Sequence, residues 1–223
     1  MGDDYVALPA EPAEELLERV LAFRAGVAGR EPGQDMAALL AAFPRVTVRE
    51  GYVLDYVQET TKDGVTLPIR PFVRPAADTS WAPMFDPEET PERDDLVEEL
   101  YQYLQREPTP AGLFEYAFFA IELWAVRASS NVAEWPDSTP IFSAARFDAF
   151  LGQARKVSDL KRPEHFGPLV REDGDGGGQV RFLVHTPMGW ERIYYLDSRV
   201  YGDGFIEPEA GAIVADMGSG LIF

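Results

Sequence analysis

Hydrophobic residues recur with the period of a helix in five stretches of the chain. The first covers residues 13–28, and the second begins at Met36. Two more begin at Thr-Pro pairs, at Thr90 and Thr109, and the last begins at Ser143. These residues suit a helix start, because the hydroxyl caps the first N–H groups and proline has no N–H to satisfy. The pattern therefore predicts about five helices.

The two helices that begin with Thr-Pro differ in polarity. The one from Thr90 to about Arg106 has a single apolar face, which predicts packing on a core. The one from Thr109 is apolar nearly all round, because aromatic and aliphatic residues dominate from Phe114 to Trp124. A helix of this kind is typically central and buried.

Two other regions alternate with the period of a strand. Residues 46–57 are rich in β-branched and aromatic residues, and Asp63-Gly64 is typical of a hairpin turn. The returning strand, residues 65–73, contains two prolines that cannot donate to a ladder. We therefore place this strand at the edge of a sheet.

The C-terminal region alternates between apolar and polar residues over positions 180–196. A predicted loop, residues 162–179, precedes it and ends in a Gly-rich run. We predict one hairpin turn at residues 186–189 and another at residues 207–211, where Glu, Pro and Gly separate two apolar pairs. Residues 218–220 are interpreted as a turn before a short last strand.

The predicted helices and strands are segregated along the chain rather than alternating. This order is typical of the α+β class with mostly antiparallel hairpins. We expect residues 1–223 to form one compact domain. A proline-rich connector at residues 75–91 is the place where a sub-boundary would fall.

Composition and charge narrow the function classes. The chain has 38 Asp and Glu against 20 Lys and Arg, and its net charge of −18 disfavours direct binding to nucleic acid or anionic membrane. It has no Cys, which excludes disulfides, thiolate nucleophiles and Cys-ligated metals. No apolar stretch reaches the roughly 18 to 20 residues of a membrane helix. We expect a soluble, cytoplasmic protein without a cofactor.

Carboxylates are concentrated in the acidic segment, residues 86–99, where eight of them accompany Arg93 as the single cation. Part of this clustering suits the start of the predicted third helix, because the helix dipole favours negative charge there. The simplest explanation is a solvated helix face. The functional alternative is a surface that attracts a cationic protein and speeds its association. The candidate partner-binding residues are Glu88, Glu89, Glu92, Asp94, Asp95, Glu98 and Glu99.

Glu115 and Glu122 interrupt the apolar helix that begins at Thr109. They are seven residues apart and so lie on one side of the helix. We expect that side to reach water, since ionised carboxylates are rarely buried alone. The alternatives are a paired-carboxylate catalytic site and neutralisation by an arginine such as Arg127 or Arg146.

A second candidate cluster depends on the turn at residues 186–189. A three-residue turn places His185 opposite Glu191, whereas a two-residue turn places it opposite Trp190. The first register would supply an acid–base cluster with Asp197 nearby. A cross-strand ion pair on a half-solvated face is the simpler interpretation, and we adopt it. In the first register one face contains Arg181, Leu183, His185, Glu191, Ile193, Tyr195 and Asp197.

No metal site is expected. The Gly-rich run at residues 173–178 lacks the Glu of a calcium loop and the Gly-Lys-Ser/Thr ending of a phosphate loop. The two His residues, His165 and His185, are too far apart in sequence to ligate from one helix. A site assembled from them and distant carboxylates is the alternative.

These features favour a non-enzymatic acidic protein that binds a basic protein partner, such as an inhibitor or immunity protein. Residues 1–111 carry a net charge of −12 and residues 112–223 carry −6, which directs the hypothesis to the first half. One alternative is a small hydrolase-like enzyme that uses carboxylates. The other is a structural subunit of a larger assembly.

Overall fold

The computed structural model describes residues 5–27, 36–57, 70–77, 100–128, 138–187 and 190–219. In these residues four helices and ten strands are present. The helices are α1 (Ala10–Val27), α2 (Met36–Ala41), α3 (Pro110–Ala128) and α4 (Ala144–Gln153). The strands are β1 (Val6–Ala7), β2 (Val46–Val48), β3 (Tyr52–Val57), β4 (Arg70–Pro75), β5 (Leu104–Arg106), β6 (Thr139–Ile141), β7 (Leu169–Glu172), β8 (Gly178–Thr186), β9 (Trp190–Val200) and β10 (Ile206–Ser219).

A six-stranded antiparallel sheet forms the C-terminal part of the fold. Its main path is β1-β7-β8-β9-β10, and β6 pairs with the end of β8 that β7 does not reach. Two smaller antiparallel ladders, β2–β5 and β3–β4, complete the strand pairing of the described residues. Helices and antiparallel sheets therefore coexist, and the predicted α+β class is confirmed.

Helix α3 is the centre of the larger core. Its residues from Leu113 to Ala120 are buried on every side, as the all-round apolar pattern predicts. Phe118 is fully buried and lies beside four other aromatic rings. Its ring partners are Phe43, Phe114, Phe142 and Phe182, at centroid distances of 5.5, 6.0, 6.0 and 5.9 Å.

The six-stranded sheet has two unlike faces because residues alternate along each strand. Val180, Phe182 and Val184 of β8 belong to the core that contains α3. On the opposite face, Leu183 and Ile193 form a smaller core with side chains of α4. The rest of that opposite face carries polar side chains.

Local capping signals in the sequence are confirmed at two helix starts. The Thr109 hydroxyl accepts from the Gly112 N–H at 3.1 Å, and the Ser143 hydroxyl accepts from the Arg146 N–H at 3.2 Å. These bonds satisfy donors that the first turn of a helix leaves unpaired. The β3–β4 pairing is also confirmed, with Pro71 opposite Tyr56, while the Asp63-Gly64 turn lies outside the described residues.

The predicted third helix is wrong at its C-terminal end. Residues 104–106 form strand β5, in which Leu104 pairs with Val48 and Arg106 with Val46. Pairing with a strand distant in sequence overrides the local helical period there. The predicted start of that helix lies outside the described residues.

Parts of three predicted irregular regions are strand instead. The predicted loop at residues 162–179 contains β7, and residues 173–177 form a tight turn between β7 and β8. The predicted hairpin at residues 207–211 is absent, because β10 runs unbroken from Ile206 to Ser219. Gly211 lies where the β9–β10 register shifts, so it marks a bulge rather than a turn. Gly218 and Ser219 belong to the end of the same strand.

Strand β10 is the last strand of the sheet on this side. Its outer edge is bridged near its C-terminal end, where Ser158 and Asp216 exchange backbone hydrogen bonds of 2.8 and 3.0 Å. The Lys161 N–H donates to the Val214 carbonyl at 2.8 Å. The segment after α4 thus covers part of this edge.

Among the described helices, none is both long enough and apolar enough to cross a membrane.

Candidate functional site

The sequence predicted that Glu115 reaches water, and this prediction is wrong. The Glu115 side chain is 3% exposed, on the α3 side that faces the entry to β2. One carboxylate oxygen accepts from the Arg45 backbone N–H at 2.9 Å, and the other accepts from the Arg45 guanidinium. Arg45 also lies 3.3 Å from Glu107. A buried carboxylate with two donors is satisfied, which explains why the helix tolerates it.

Glu122 is buried even more completely, at 1% exposure. Arg24 of α1 meets it with two parallel hydrogen bonds, 3.0 Å from Nε and 2.5 Å from Nη2. This fork-to-fork geometry is the strongest common arrangement of Arg and carboxylate. The predicted partner Arg146 instead pairs with Glu14 and Glu18 of α1.

The two carboxylates of α3 therefore belong to two separate ion pairs. Seven residues of helix separate them by about 10 Å along the axis. Each has its own arginine, Arg45 for Glu115 and Arg24 for Glu122. The arrangement connects α3 to the β2 region and to α1. It does not place the two carboxylates against each other, as a proton-sharing pair requires.

His185 and Glu191 are in contact, as the three-residue turn would place them, but the register is neither of the two considered from the sequence. His185 pairs with Ile193 rather than with Glu191 or Trp190, so the connection is two residues longer than the three-residue turn assumed. A shift of two keeps every side chain on its face. His185 Nε2 still lies 3.0 Å from a Glu191 carboxylate oxygen, across a diagonal.

The imidazole of His185 is closed off from solvent. It is 6% exposed and stacks on the Phe150 ring of α4, with centroids 4.0 Å apart and an angle of 18° between the planes. Burial lowers the pKa of His185, and the neighbouring Glu191 offsets part of that effect. The neutral imidazole is therefore favoured in the folded state. A covered, neutral ring that packs a helix on a sheet has a structural role.

Because the folded state favours the neutral imidazole, lowering the pH should destabilise the protein. An unfolded His titrates near pH 6.5 and the folded His185 only below that, so the unfolded state binds more protons as pH falls through this range. The free energy of unfolding should consequently decrease from about pH 7 to about pH 5, with a smaller slope in His185→Gln. Urea unfolding at several pH values measures it, with Thr47→Ala, an exposed side chain that does not titrate, as the control that keeps the wild-type slope. Equal slopes in wild type and His185→Gln would contradict the assignment.

Asp197 is not part of the His185 cluster. It accepts from Arg181 Nε at 2.5 Å, directly across the β8–β9 ladder. Arg181 and His185 are four residues apart on β8, which corresponds to about 13 Å. The three sequence candidates His185, Glu191 and Asp197 share one sheet face, as predicted, but only the first two are in contact.

The polar half of that face contains residues that the sequence pattern predicted to lie together and others, on β10, that it did not predict. We call it the open half-face, and α4 covers the other half. A groove of about 480 Å³ runs along it. The half-face comprises Tyr5, Arg171, Gln179, Arg181, Tyr195, Asp197, Arg199, Tyr201, Glu207 and Glu209. Arg181, Tyr195 and Asp197 were placed together from the alternation in β8 and β9. Glu207 and Glu209 of β10 were not predicted on this face, because residues 207–211 were expected to form a hairpin turn.

Arginine and tyrosine side chains order the open half-face. The Arg181 guanidinium lies between two rings, 5.6 Å from the centroid of Tyr5 and 5.7 Å from that of Tyr195. Arg171 lies 5.6 Å from the Tyr5 ring as well. The Tyr5 hydroxyl donates to Gln179 Oε1 at 2.6 Å. Stacked guanidinium groups on aromatic rings are held in place while their outer donors stay accessible.

A second groove, of about 520 Å³, lies beside the β2–β5 ladder. Its two arginines already have partners in the fold. Arg45 holds Glu115, and Arg106 donates to the Gly176 carbonyl at 2.8 Å. Burial lowers the pKa of Arg106, and Glu172 opposes that effect. Arg181 of the open half-face is likewise paired, with Asp197, so the two grooves differ in the tyrosine rings beside Arg181 and not in free arginines.

The seven residues assigned to partner binding, Glu88, Glu89, Glu92, Asp94, Asp95, Glu98 and Glu99, lie outside the described residues. Their assignment stays a prediction from the sequence.

Metal binding has no candidate in the described part of the chain, where no group of three or more His, Asp or Glu side chains could hold an ion. His165 lies 3.0 Å from the Leu8 carbonyl and so connects the N-terminal segment to the loop before β7.

The chain was compared with protein-family models, with curated proteins and with solved structures. None of the three comparisons gives a match. The chemistry of the residues themselves is therefore the basis on which a function is assigned.

Proposed function

We propose that this chain is a non-enzymatic acidic interaction protein that binds a basic protein partner, as an inhibitor or immunity protein does. The observation that carries the proposal is the acidic segment, with eight carboxylates and one arginine in fourteen residues. Such a density of one charge steers oppositely charged partners and raises association rates by about 10- to 1000-fold.

The described ion pairs are relevant to this proposal because they use part of the positive charge of the chain. Eight arginines of the described residues lie within 4.0 Å of a carboxylate, and they are Arg24, Arg45, Arg74, Arg106, Arg146, Arg162, Arg171 and Arg181. Since the whole chain has a net charge of −18, carboxylates remain in excess after these pairs are formed. A basic protein is the partner that this excess of negative charge attracts.

The enzyme alternative draws no support from the same geometry. Glu115 and Glu122 are each paired with an arginine, and His185 is covered by Phe150. A general base has to lie within hydrogen-bond reach of its substrate. Groups that are buried and already paired meet that requirement poorly.

The test is capture of partners from the native cell lysate by the tagged chain, at low and at high salt, read by mass spectrometry. We expect a basic protein that is retained at low salt and lost at high salt, because the attraction is electrostatic. A variant with Glu92, Asp94, Asp95, Glu98 and Glu99 replaced by Gln or Asn should lose it. With the purified partner, the association rate should fall by about tenfold or more at low salt.

A matched control removes the same number of charges elsewhere. Glu11, Glu15, Glu50, Asp159 and Glu164 are exposed, and their amide variant changes the net charge equally. This control should keep the partner and most of the association rate. The proposal fails if both variants slow association alike, or if every retained protein is acidic.

A further inference from the structure

We propose that the open half-face joins two copies of this chain face to face, about a two-fold axis that runs along the strands between β8 and β9. This inference does not rest on the proposed function, because it concerns a different surface. It starts from the contrast within one sheet face. One half is covered by α4, and the other half presents arginine, tyrosine and carboxylate side chains around a groove.

The strand register arranges the charges of the open half-face in rows. Directly opposed residues share a face, so one row runs from Arg171 on β7 through Gln179 and Arg199 to Glu207 on β10. The next row runs from Leu169 through Arg181 and Asp197 to Glu209. In each row the charged residue nearest β7 is an arginine and the β10 residue is a glutamate, with Asp173 3.9 Å from Arg171 and with Arg199 on β9. The half-face therefore has a basic flank and an acidic flank.

A surface with two flanks of opposite charge is complementary to itself. In a two-fold dimer the same patch is used by both copies, and residue contacts occur twice. An axis along the strands places the β7 flank of one copy over the β10 flank of the other. Arg171 then faces Glu207 of the second copy, and the Arg181–Asp197 ion pair of one copy faces the same pair of the other in reverse order. An axis across the strands would place like charges together, so the charge pattern selects the first arrangement.

The side-chain types on the half-face suit an interface. Tyrosine and arginine are enriched at the centres of protein interfaces and carry much of their binding energy. Tyr5, Tyr195 and Arg181 already lie in a fixed stack, so little side-chain freedom is lost when a second copy binds. Two antiparallel sheets that meet in this way pack at about 30° to each other.

A charge-reversal series tests the proposal by sedimentation at near-physiological salt, over a range of protein concentrations. The wild type should rise with concentration from 24.8 kDa towards twice that mass. Arg171→Glu and Glu207→Arg should each weaken association by about tenfold or more, because each places like charges together at two symmetric contacts. An equimolar mixture of the two variants should recover it, since every contact between them is again between opposite charges.

Matched variants away from the half-face make the same changes of charge. Lys156→Glu and Glu164→Arg alter exposed residues and should leave association unchanged. Recovery in the mixture also excludes unfolding as the cause, because a misfolded variant would not be rescued. The proposal is overturned by a wild type that stays monomeric, by a mixture that stays as weak as the single variants, or by controls that weaken association equally. Loss of a captured basic protein in Arg171→Glu, with a monomeric wild type, would assign the half-face to that partner instead.

Discussion

Replacement of Arg24 by methionine should lower the free energy of unfolding by about 3–5 kcal/mol. Glu122 is 1% exposed, and Arg24 supplies it with two hydrogen bonds. Without the guanidinium, the carboxylate stays in the core with its main donors removed. Truncating one partner of a buried pair is costly for this reason, whereas the intact pair contributes much less than that to net stability.

The double variant Arg24→Met with Glu122→Leu separates these two effects. It removes both charges and leaves apolar side chains of similar size, so most of the lost stability should return. Urea unfolding of wild type, both single variants and the double variant gives the coupling energy directly. A double variant as unstable as Arg24→Met would show that packing, and not the unpaired charge, causes the loss.

The second large effect is expected at Phe118, where substitution by alanine should cost about 3–5 kcal/mol. The ring is fully buried and lies within 6.0 Å of four other aromatic centroids, from α3, from the segment after α2, from the segment between β6 and α4, and from β8. Alanine would leave a cavity in the larger core. Loss of these ring contacts adds to the transfer cost of the side chain.

Trp124 supplies the matched control for this substitution. It lies on the same helix but is 56% exposed. Trp124→Ala therefore removes a larger side chain with a change of at most about 0.5–1 kcal/mol. Thermal and urea unfolding of both variants should give the same order. Similar losses at the two positions would mean that helix propensity, and not core packing, dominates.

Short-range signals in the sequence were sufficient to locate helix starts. Thr109 and Ser143 cap helices because the hydroxyl and the N–H group that it accepts from are three residues apart. The face shared by Arg181, Tyr195 and Asp197 was also predictable. Alternation of period two assigns a side chain to a face even when the register is displaced by two residues.

Long-range contacts account for the errors. The segment 104–106 has a helical period, yet it pairs with β2, more than fifty residues earlier. Glu122 was expected at the surface because its partner, Arg24, lies 98 residues away in sequence. Gly211 was taken as part of a turn, whereas it allows Asp197 to approach β10 closely at a bulge. The sequence contains no local sign of any of these three contacts.

The form of β10 has a consequence for aggregation. A fourteen-residue edge strand is normally a template on which another chain can extend the sheet. The Tyr201 N–H donates to the Phe205 carbonyl, so these two residues form a hydrogen-bonded pair. Hydrogen-bonded pairs alternate along an antiparallel ladder, and Pro208, three residues on, points its backbone nitrogen away from β9. That nitrogen has no hydrogen to donate to another chain. Further along, Ser158 already bonds the outer side of Asp216. Edge-to-edge growth into a fibril is therefore interrupted at both ends of this strand.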